Sequence, residues 1–290
     1  MVFKVIPECP FLFYANVADF RETDCLMLNP LSESQWSEFE EHGYLKLGRL
    51  GADQLAEMQK QIDAIMLGKA SVDYDRMLMQ LDSPSGEYAG LDAQTKGFKG
   101  ASLDYRKIQD LEYCPQFLRY IQDPVFEEIC GQVYGAGVPI SLFRAMFMNK
   151  PANRGTFLPW HQDGVAAYDR DPRVTVWTAL DPATKENGCL QVIPGSHKNG
   201  LIEPTHEEWY LSDGQVEKFC SSDRIVHLEL EAGEVVLLDN YLLHASDKNR
   251  SRQSRRALSV CYMDAATLEK GQPYKGTRVF GQDALNPETA

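Results

Sequence analysis

Phe157-Leu158-Pro159-Trp160-His161-Gln162-Asp163 is the stretch on which the reading of this chain turns. It has the length and apolar content of a strand. In an extended backbone, residues two apart project to the same face, so His161 and Asp163 stand side by side and can grip one ion. An H-x-D pair arises by chance in many chains, and the competing reading is a histidine and an aspartate capping a turn near Gly164. The choice between them depends on what the flanking sequence supplies.

Outward from this stretch, alternation dominates from about residue 140. Strand candidates are 140–149, 157–163, 174–180, 189–194, 225–230, 234–239 and 255–263. The turns between them carry Glu186-Asn187-Gly188, Pro194-Gly195 and Ala232-Gly233, a pattern that predicts an antiparallel sandwich or barrel. The first third reads instead as helices and loops. Ser32 to Gln35 has capping-box spacing and Gly43 stops that helix, after which 44–47 is a short strand candidate. Leu55, Met58, Ile62, Ile65 and Met66 repeat at helical spacing over 53–67. Asp123-Pro124 is an N-cap followed by a proline at the first helical position, with Val125, Ile129 and Val133 on one stripe. Two stretches, 69–105 and 199–224, show weak periodicity and read as long loops of the kind that serve as lids. The expected organisation is one domain over 1–290: a helical N-terminal buttress over about 31–135, a β core over about 140–264 and a tail over 265–290.

Composition bounds the function. Hydrophobic residues make up 43% and charged residues 24% of 290 positions, which excludes disordered and collagen-like classes. The net charge of −13 repels phosphate backbones and argues against a nucleic-acid partner. No apolar run reaches a membrane-spanning length, and the first twenty residues lack a basic segment followed by an apolar core, so the expectation is a cytoplasmic protein with no membrane partner. Seven cysteines without a C-x-x-C pair read as thiols in a reducing compartment rather than a disulfide or zinc framework. In that compartment the Asn249-Arg250-Ser251 triplet carries no glycan.

The third ligand comes from His244, which follows the apolar strand Val235-Val236-Leu237-Leu238. Two imidazoles and one carboxylate on one face of a metal leave the opposite positions open, the arrangement of non-haem Fe(II) oxygenases. Arg255 begins a strand that carries Arg255, Ala257, Ser259 and Cys261 on one face. A guanidinium among small inward residues is costly to bury unpaired, and an anionic cosubstrate with a carboxylate suits its planar fork. Arg256 would take its place if the strand slipped by one residue, since that slip exchanges faces.

With these residues assembled, the chain resembles the phytanoyl-CoA dioxygenase family of Fe(II)- and 2-oxoglutarate-dependent oxygenases. The likeness runs in order over about 34–264. It includes Lys107 to Asp110, Met146 to Pro151, the WHQD run, Val176 to Ala179, the segment from Asn187 to Gly200, and the HAS and RRALS stretches beginning at His244 and Arg255. The resemblance implies a mainly β fold with flanking helices, built on a double-stranded β-helix (jelly roll, cupin-like) core. It implies His161, Asp163 and His244 as iron ligands and Arg255, with Ser246 beside it, on the distal carboxylate of 2-oxoglutarate. Trp177, Gln162, Met146 and Lys107 match positions that line the cosubstrate. The implied activity is that of an oxidoreductase, a dioxygenase consuming O2 and 2-oxoglutarate, releasing succinate and CO2, and hydroxylating an unactivated C–H bond of a small or medium-sized organic molecule. The same cofactors also serve desaturation, epoxidation or ring closure, and a non-catalytic cupin-like metal-binding protein is the alternative of another class. Because the carboxylate ligand is present, no iron position is vacated for a halide, which argues against a halogenase. An acyl-CoA is disfavoured by the acidity and by the lack of a Gly-rich phosphate loop.

Several residues have plainer readings. His197 sits in a Pro-Gly-Ser-His turn and reads as bonded to nearby backbone; His42, His206 and His227 have no partner spacing. Arg144 shares a face with Met146 and Met148, which leaves it between binding an acidic substrate and forming a rim salt bridge. Trp177 could equally be core, and the basic run from Lys248 to Arg256 reads, Arg255 apart, as a solvated loop.

Overall fold

The computed structural model describes residues 29–164, 167–202 and 210–288. The chain enters through α1 (Glu33–His42), whose Ser32–Gln35 capping box forms as expected and whose end is Gly43 at φ 78°. Then come β1 (Tyr44–Arg49) and α2 (Ala52–Met66). The stretch 69–105, expected to be a loop, instead holds β2 (Leu78–Leu81) and β3 (Thr95–Lys96), and β4 (Tyr105–Gln109) begins at its last residue. An unexpected short helix, α3 (Pro115–Ile121), precedes α4 (Pro124–Tyr134). In α4 the fully buried side chains are Phe126, Ile129 and Cys130, so the inward face is turned slightly from the Val125–Val133 stripe.

The core strands, the short one at 244–246 apart, follow the alternation closely. They are β5 (Ile140–Lys150), β6 (Leu158–His161), β7 (Val174–Ala179), β8 (Leu190–Val192), β9 (Val226–Leu228), β10 (Glu234–Asp239), β11 (His244–Ser246) and β12 (Arg255–Asp264). The second long loop contains α5 (Asp213–Phe219), begun by a Ser212–Gln215 capping box that the sequence reading passed over. The tail adds β13 (Leu268–Glu269), β14 (Gln272–Pro273) and β15 (Arg278–Phe280), the last pairing with β5.

Two antiparallel sheets carry the architecture. The large one runs β1-β10-β7-β12-β5-β4-β2-β3 and the small one β6-β11-β8-β9. Both faces of the large sheet are buried, and alternation assigns each. Val174, Val176, Val235, Leu237, Leu258 and Val260 pack outward against Met58, Ile62 and Ile65 of α2 and against Phe117, Leu118, Phe126 and Ile129. Trp177, Val236, Leu238 and Ala257 face inward, against Leu190, Val192 and Leu228 of the small sheet. This is the double-stranded β-helix. The N-terminal third is thus more than a helical buttress, because its strands β1 to β4 extend the large sheet at both ends. None of the described helices is long and apolar enough to cross a membrane.

Candidate metal centre and active site

The small sheet brings the two histidines together. β6 and β11 pair antiparallel with His161 directly opposite His244, and the ring centroids lie 4.1 Å apart. Asp163, two residues past the end of β6, is fixed by its backbone N–H donating to the Asn240 carbonyl at 2.8 Å. Its Oδ1 lies 3.9 Å from His161 Nε2 and its Oδ2 3.9 Å from His244 Nε2. Among the described residues this is the one group of three or more His, Cys, Asp or Glu whose ligating atoms converge, all within 4.8 Å of one another.

Backbone carbonyls set the tautomers. His161 Nδ1 is 2.8 Å from the Pro159 carbonyl and His244 Nδ1 is 3.0 Å from the Leu242 carbonyl. A carbonyl only accepts, so each Nδ1 carries the proton and each Nε2 lone pair points toward Asp163, the outer support that ligating histidines require. Burial, then the neighbouring His244, lowers the His161 imidazolium to about 3. Burial pushes the Asp163 carboxyl up, but Arg144 and then the two imidazoles outweigh it and hold the group well below the usual carboxylate range. A neutral His161 imidazole and an ionised Asp163 carboxylate are forms that a divalent metal needs of its ligands.

Arg144 reaches Asp163 from β5. Its guanidinium pairs with Asp163 Oδ2 inside the cavity, which resolves the two readings of this residue: the partner is neither substrate nor rim acid but the carboxylate of the metal group. No sequence spacing announces a pair that joins two strands, although the shared face with Met146 placed Arg144 on the correct side.

Arg255 is 2% exposed, and its Nε and one terminal nitrogen have no hydrogen-bond partner among the described residues. The guanidinium lies 5.5 Å from the ring centroid of Trp177, whose indole N–H is also unpartnered. Burial lowers the guanidinium to about 10, with partial relief from Cys189 and Asp181. Arg256 points the other way and is spent on Asp181, through Nε and a terminal nitrogen at 2.8 Å each, and on Asp63. The register therefore keeps Arg255 inside. Ser246 lines the same hollow as Arg255.

A cavity of about 800 Å³ opens onto the His-Asp-His group. Lys107, Met146, Gln162 and Trp177 all line it, as the resemblance implies. Gln162 does so with its amide already committed: it donates to the Gly200 and Tyr241 carbonyls and accepts from the Ile202 N–H. Burial, with Arg106 and Arg144 nearby, lowers the Lys107 ammonium to about 7. The outer wall is aromatic: Phe143 and Tyr168 meet edge to face at 5.8 Å, and Tyr88 and Tyr210 at 5.4 Å. The sequence reading missed this wall, whose residues come from four separate segments.

The remaining histidines stay outside the site. His197 Nε2 meets the Glu40 carbonyl at 3.1 Å, a bond to α1 rather than to its own turn. His42 and His227 join no ligating group among the described residues, and His206 lies outside them. Cys114, Cys130, Cys189, Cys220 and Cys261 are free and buried.

The family model described as "Phytanoyl-CoA dioxygenase (PhyH)" matches residues 39–257. The rice (Oryza sativa subsp. japonica) protein "Phytanoyl-CoA dioxygenase 1" is 30% identical over 268 residues, covering 82% of this chain and 91% of its own length. The human (Homo sapiens) peroxisomal phytanoyl-CoA dioxygenase is 26% identical and covers 82% and 70%. Among solved structures, EctD from S. alaskensis with 2-oxoglutarate and 5-hydroxyectoine superposes with a TM-score of 0.63 at 20% identity, over 84% of this chain and 82% of its own. SnoK, an alpha-ketoglutarate-dependent carbocyclase from nogalamycin biosynthesis, gives 0.60 at 20% identity, over 83% and 87%. These two likenesses concern the fold; the family match concerns the sequence across the core and its N-terminal flank. The chain belongs to the phytanoyl-CoA dioxygenase family of Fe(II)- and 2-oxoglutarate-dependent oxygenases.

Proposed function

We propose that this oxygenase hydroxylates an unactivated C–H bond of a small or medium-sized organic molecule. The observation that carries the reading is a metal-ligating cluster that opens onto a cavity of about 800 Å³, beside a small hollow lined by the buried Arg255, whose Nε and one terminal nitrogen have no hydrogen-bond partner among the described residues. His161 and His244 through Nε2, and Asp163 through a carboxylate oxygen, would hold the iron. Arg255 and Ser246 would receive the distal carboxylate of 2-oxoglutarate, with Trp177, Met146 and Lys107 along its flank. When bound, iron, 2-oxoglutarate and O2 together supply the oxidation, and 2-oxoglutarate leaves as succinate and CO2.

The chain's own part is positioning and shielding. Arg144 neutralises Asp163 and fixes its rotamer, so the ligand face is shaped before metal arrives. Phe143, Tyr168, Met146, Met148 and Leu158 give the cavity a mostly apolar wall that fits an aliphatic or ring segment and keeps water from the reacting carbon. The test is succinate formation by Fe(II)-loaded protein screened across metabolites. A compound that accelerates turnover and is recovered with one added oxygen supports hydroxylation. Recovery as an alkene, epoxide or new ring replaces it with the sister reaction, and an iron-loaded protein that binds no 2-oxoglutarate refutes the oxygenase reading.

A further inference from the structure

Next to the cavity, four cationic side chains, Arg106, Lys107, Lys150 and Arg255, line one small hollow that shares Lys107, Met148 and Leu158 with the main chamber. Lys150 and Arg255 are direct cross-strand partners in the β5–β12 register, and both are almost wholly buried, at 4% and 2% exposure. Like charges directly opposite one another on a sheet destabilise it, and burial removes the water that would screen them. The Lys150 stem is held in place. An added Cβ at Gly155 would come within 2.6 Å of Lys150 Cβ, and one at Gly188 within 2.8 Å of its Cδ, so these glycines leave room for it and nothing more. Its Nζ donates to the Thr156 carbonyl at 2.5 Å, an acceptor that serves an amine and an ammonium alike.

The acids that face this group are few and already engaged. Asp82 accepts from the Thr156 N–H at 3.2 Å, from the Thr156 hydroxyl and from the Ser83 N–H at 2.8 Å, while Asp247 accepts from Gln191 at 3.0 Å. Against them stand Arg255 from β12 and Arg106 from β4. Burial, then Arg255 and Arg106, pushes the Lys150 ammonium well below its usual range, and Asp82 and Asp247 restore only part of that.

We propose that Lys150 is a second anchor for the distal carboxylate of 2-oxoglutarate, sharing it with Arg255 and taking up a proton from solvent as that carboxylate arrives. The proposal rests on the reading of Arg255 given above. Without the anion, Lys150 sheds its proton and relieves the repulsion with Arg255. With the anion, the ammonium is the favoured form. The linkage sign follows: a group whose proton affinity rises on binding makes binding weaken as pH climbs through the window between its free and bound values. Lys150 is a positioning residue for the keto acid and takes no part in oxidation of the substrate.

Titration calorimetry on the Fe(II)-loaded protein, kept anaerobic at pH 8 in two buffers of different ionisation enthalpy, reads the effect. Wild-type protein should take up more protons with 2-oxoglutarate than with 2-oxopentanoate, which lacks the distal carboxylate. Lys150→Met should bind 2-oxoglutarate at least about tenfold more weakly, with less proton uptake and an unchanged Fe(II) affinity. Lys150→Gln retains a donor toward the Thr156 carbonyl and serves if the methionine variant fails to fold; it should show the same loss of proton uptake. Equal proton uptake for the two keto acids, or variant proton counts matching wild type, overturns the proposal while leaving the oxygenase reading intact. Failure of wild-type protein to bind 2-oxoglutarate at all overturns both.

Discussion

Arg144 lines the main chamber and Arg255 the small hollow beside it, and their variants separate two functions. Arg255→Ala should weaken 2-oxoglutarate by about tenfold or more while sparing Fe(II) affinity, both measured by anaerobic titration. Equal loss of metal and keto acid would make Arg255 a structural residue. Arg144→Gln removes the cation beside Asp163, and Fe(II) affinity measured against a competing chelator should fall about 10–100-fold, the usual cost of losing an outer-shell partner. A rise in affinity would mean that repulsion of the metal dication outweighs orientation of the carboxylate. The convergence of His161, Asp163 and His244 was legible from the H-x-D spacing and the apolar strand before His244, and the inward face of Arg255 from the alternation of β12. Arg144 and Lys150 sit on the same alternating face, but the charges they meet, Asp163 and Arg255, come from distant segments, and no local pattern shows which charge a buried cation will face.

The first turn of β12 shows how a one-residue register decides a site. Arg255 turns into the β-helix, whereas Arg256 ties β12 to α2 through Asp181 and Asp63. Arg256→Ala should lower unfolding stability by about 2 kcal/mol in a denaturant titration, because it strands the half-buried Asp181, yet leave 2-oxoglutarate affinity unchanged. A second element-level effect belongs to the short turn Leu111–Tyr113. Glu112 is buried there, with Oε1 accepting from Thr277 at 3.0 Å and Oε2 unpartnered, and burial raises its carboxyl to about 7. The folded state then holds a proton that the unfolded state releases above the ordinary glutamate range, so this contribution to stability is full at low pH and fades as pH rises through about 7. Glu112→Gln should abolish that fall and gain on wild type between pH 5 and 8, by on the order of 3 kcal/mol at most, in chemical denaturation at each pH. Similar physics hid β4 from the sequence reading. Tyr105–Gln109 buries Arg106 and sets Lys107 into the cavity wall, so a strand with no polar outer face carries charges that read as surface. β11 was hidden by its three-residue length.

For the molecule as a whole, acidity and a cationic interior belong together. A chain of net charge −13 turns Arg106, Lys107, Lys150 and Arg255 inward, so its anion preference lies in the hollow rather than on the surface. The jelly-roll class was legible because alternation and turn chemistry agree over residues 140–264. β1 was legible at 44–47, but the other strands of the N-terminal third and those of the tail were not, since β4 and β15 gain stability from pairing with β5 rather than from their own pattern. Ligand linkage gives a global readout: Fe(II) at about a hundredfold excess over its dissociation constant should add about 2.7 kcal/mol to unfolding stability, and Asp163→Ala should lose that increment. The most direct measurement is an anaerobic crystal structure of the protein soaked with Fe(II) and 2-oxoglutarate. A single anomalous peak is expected about 2.1 Å from His161 Nε2, His244 Nε2 and one Asp163 oxygen, with the distal carboxylate on Arg255. Metal bound by other side chains, or a keto acid lying elsewhere while Arg255 keeps its nitrogens unpaired, would contradict the assignment.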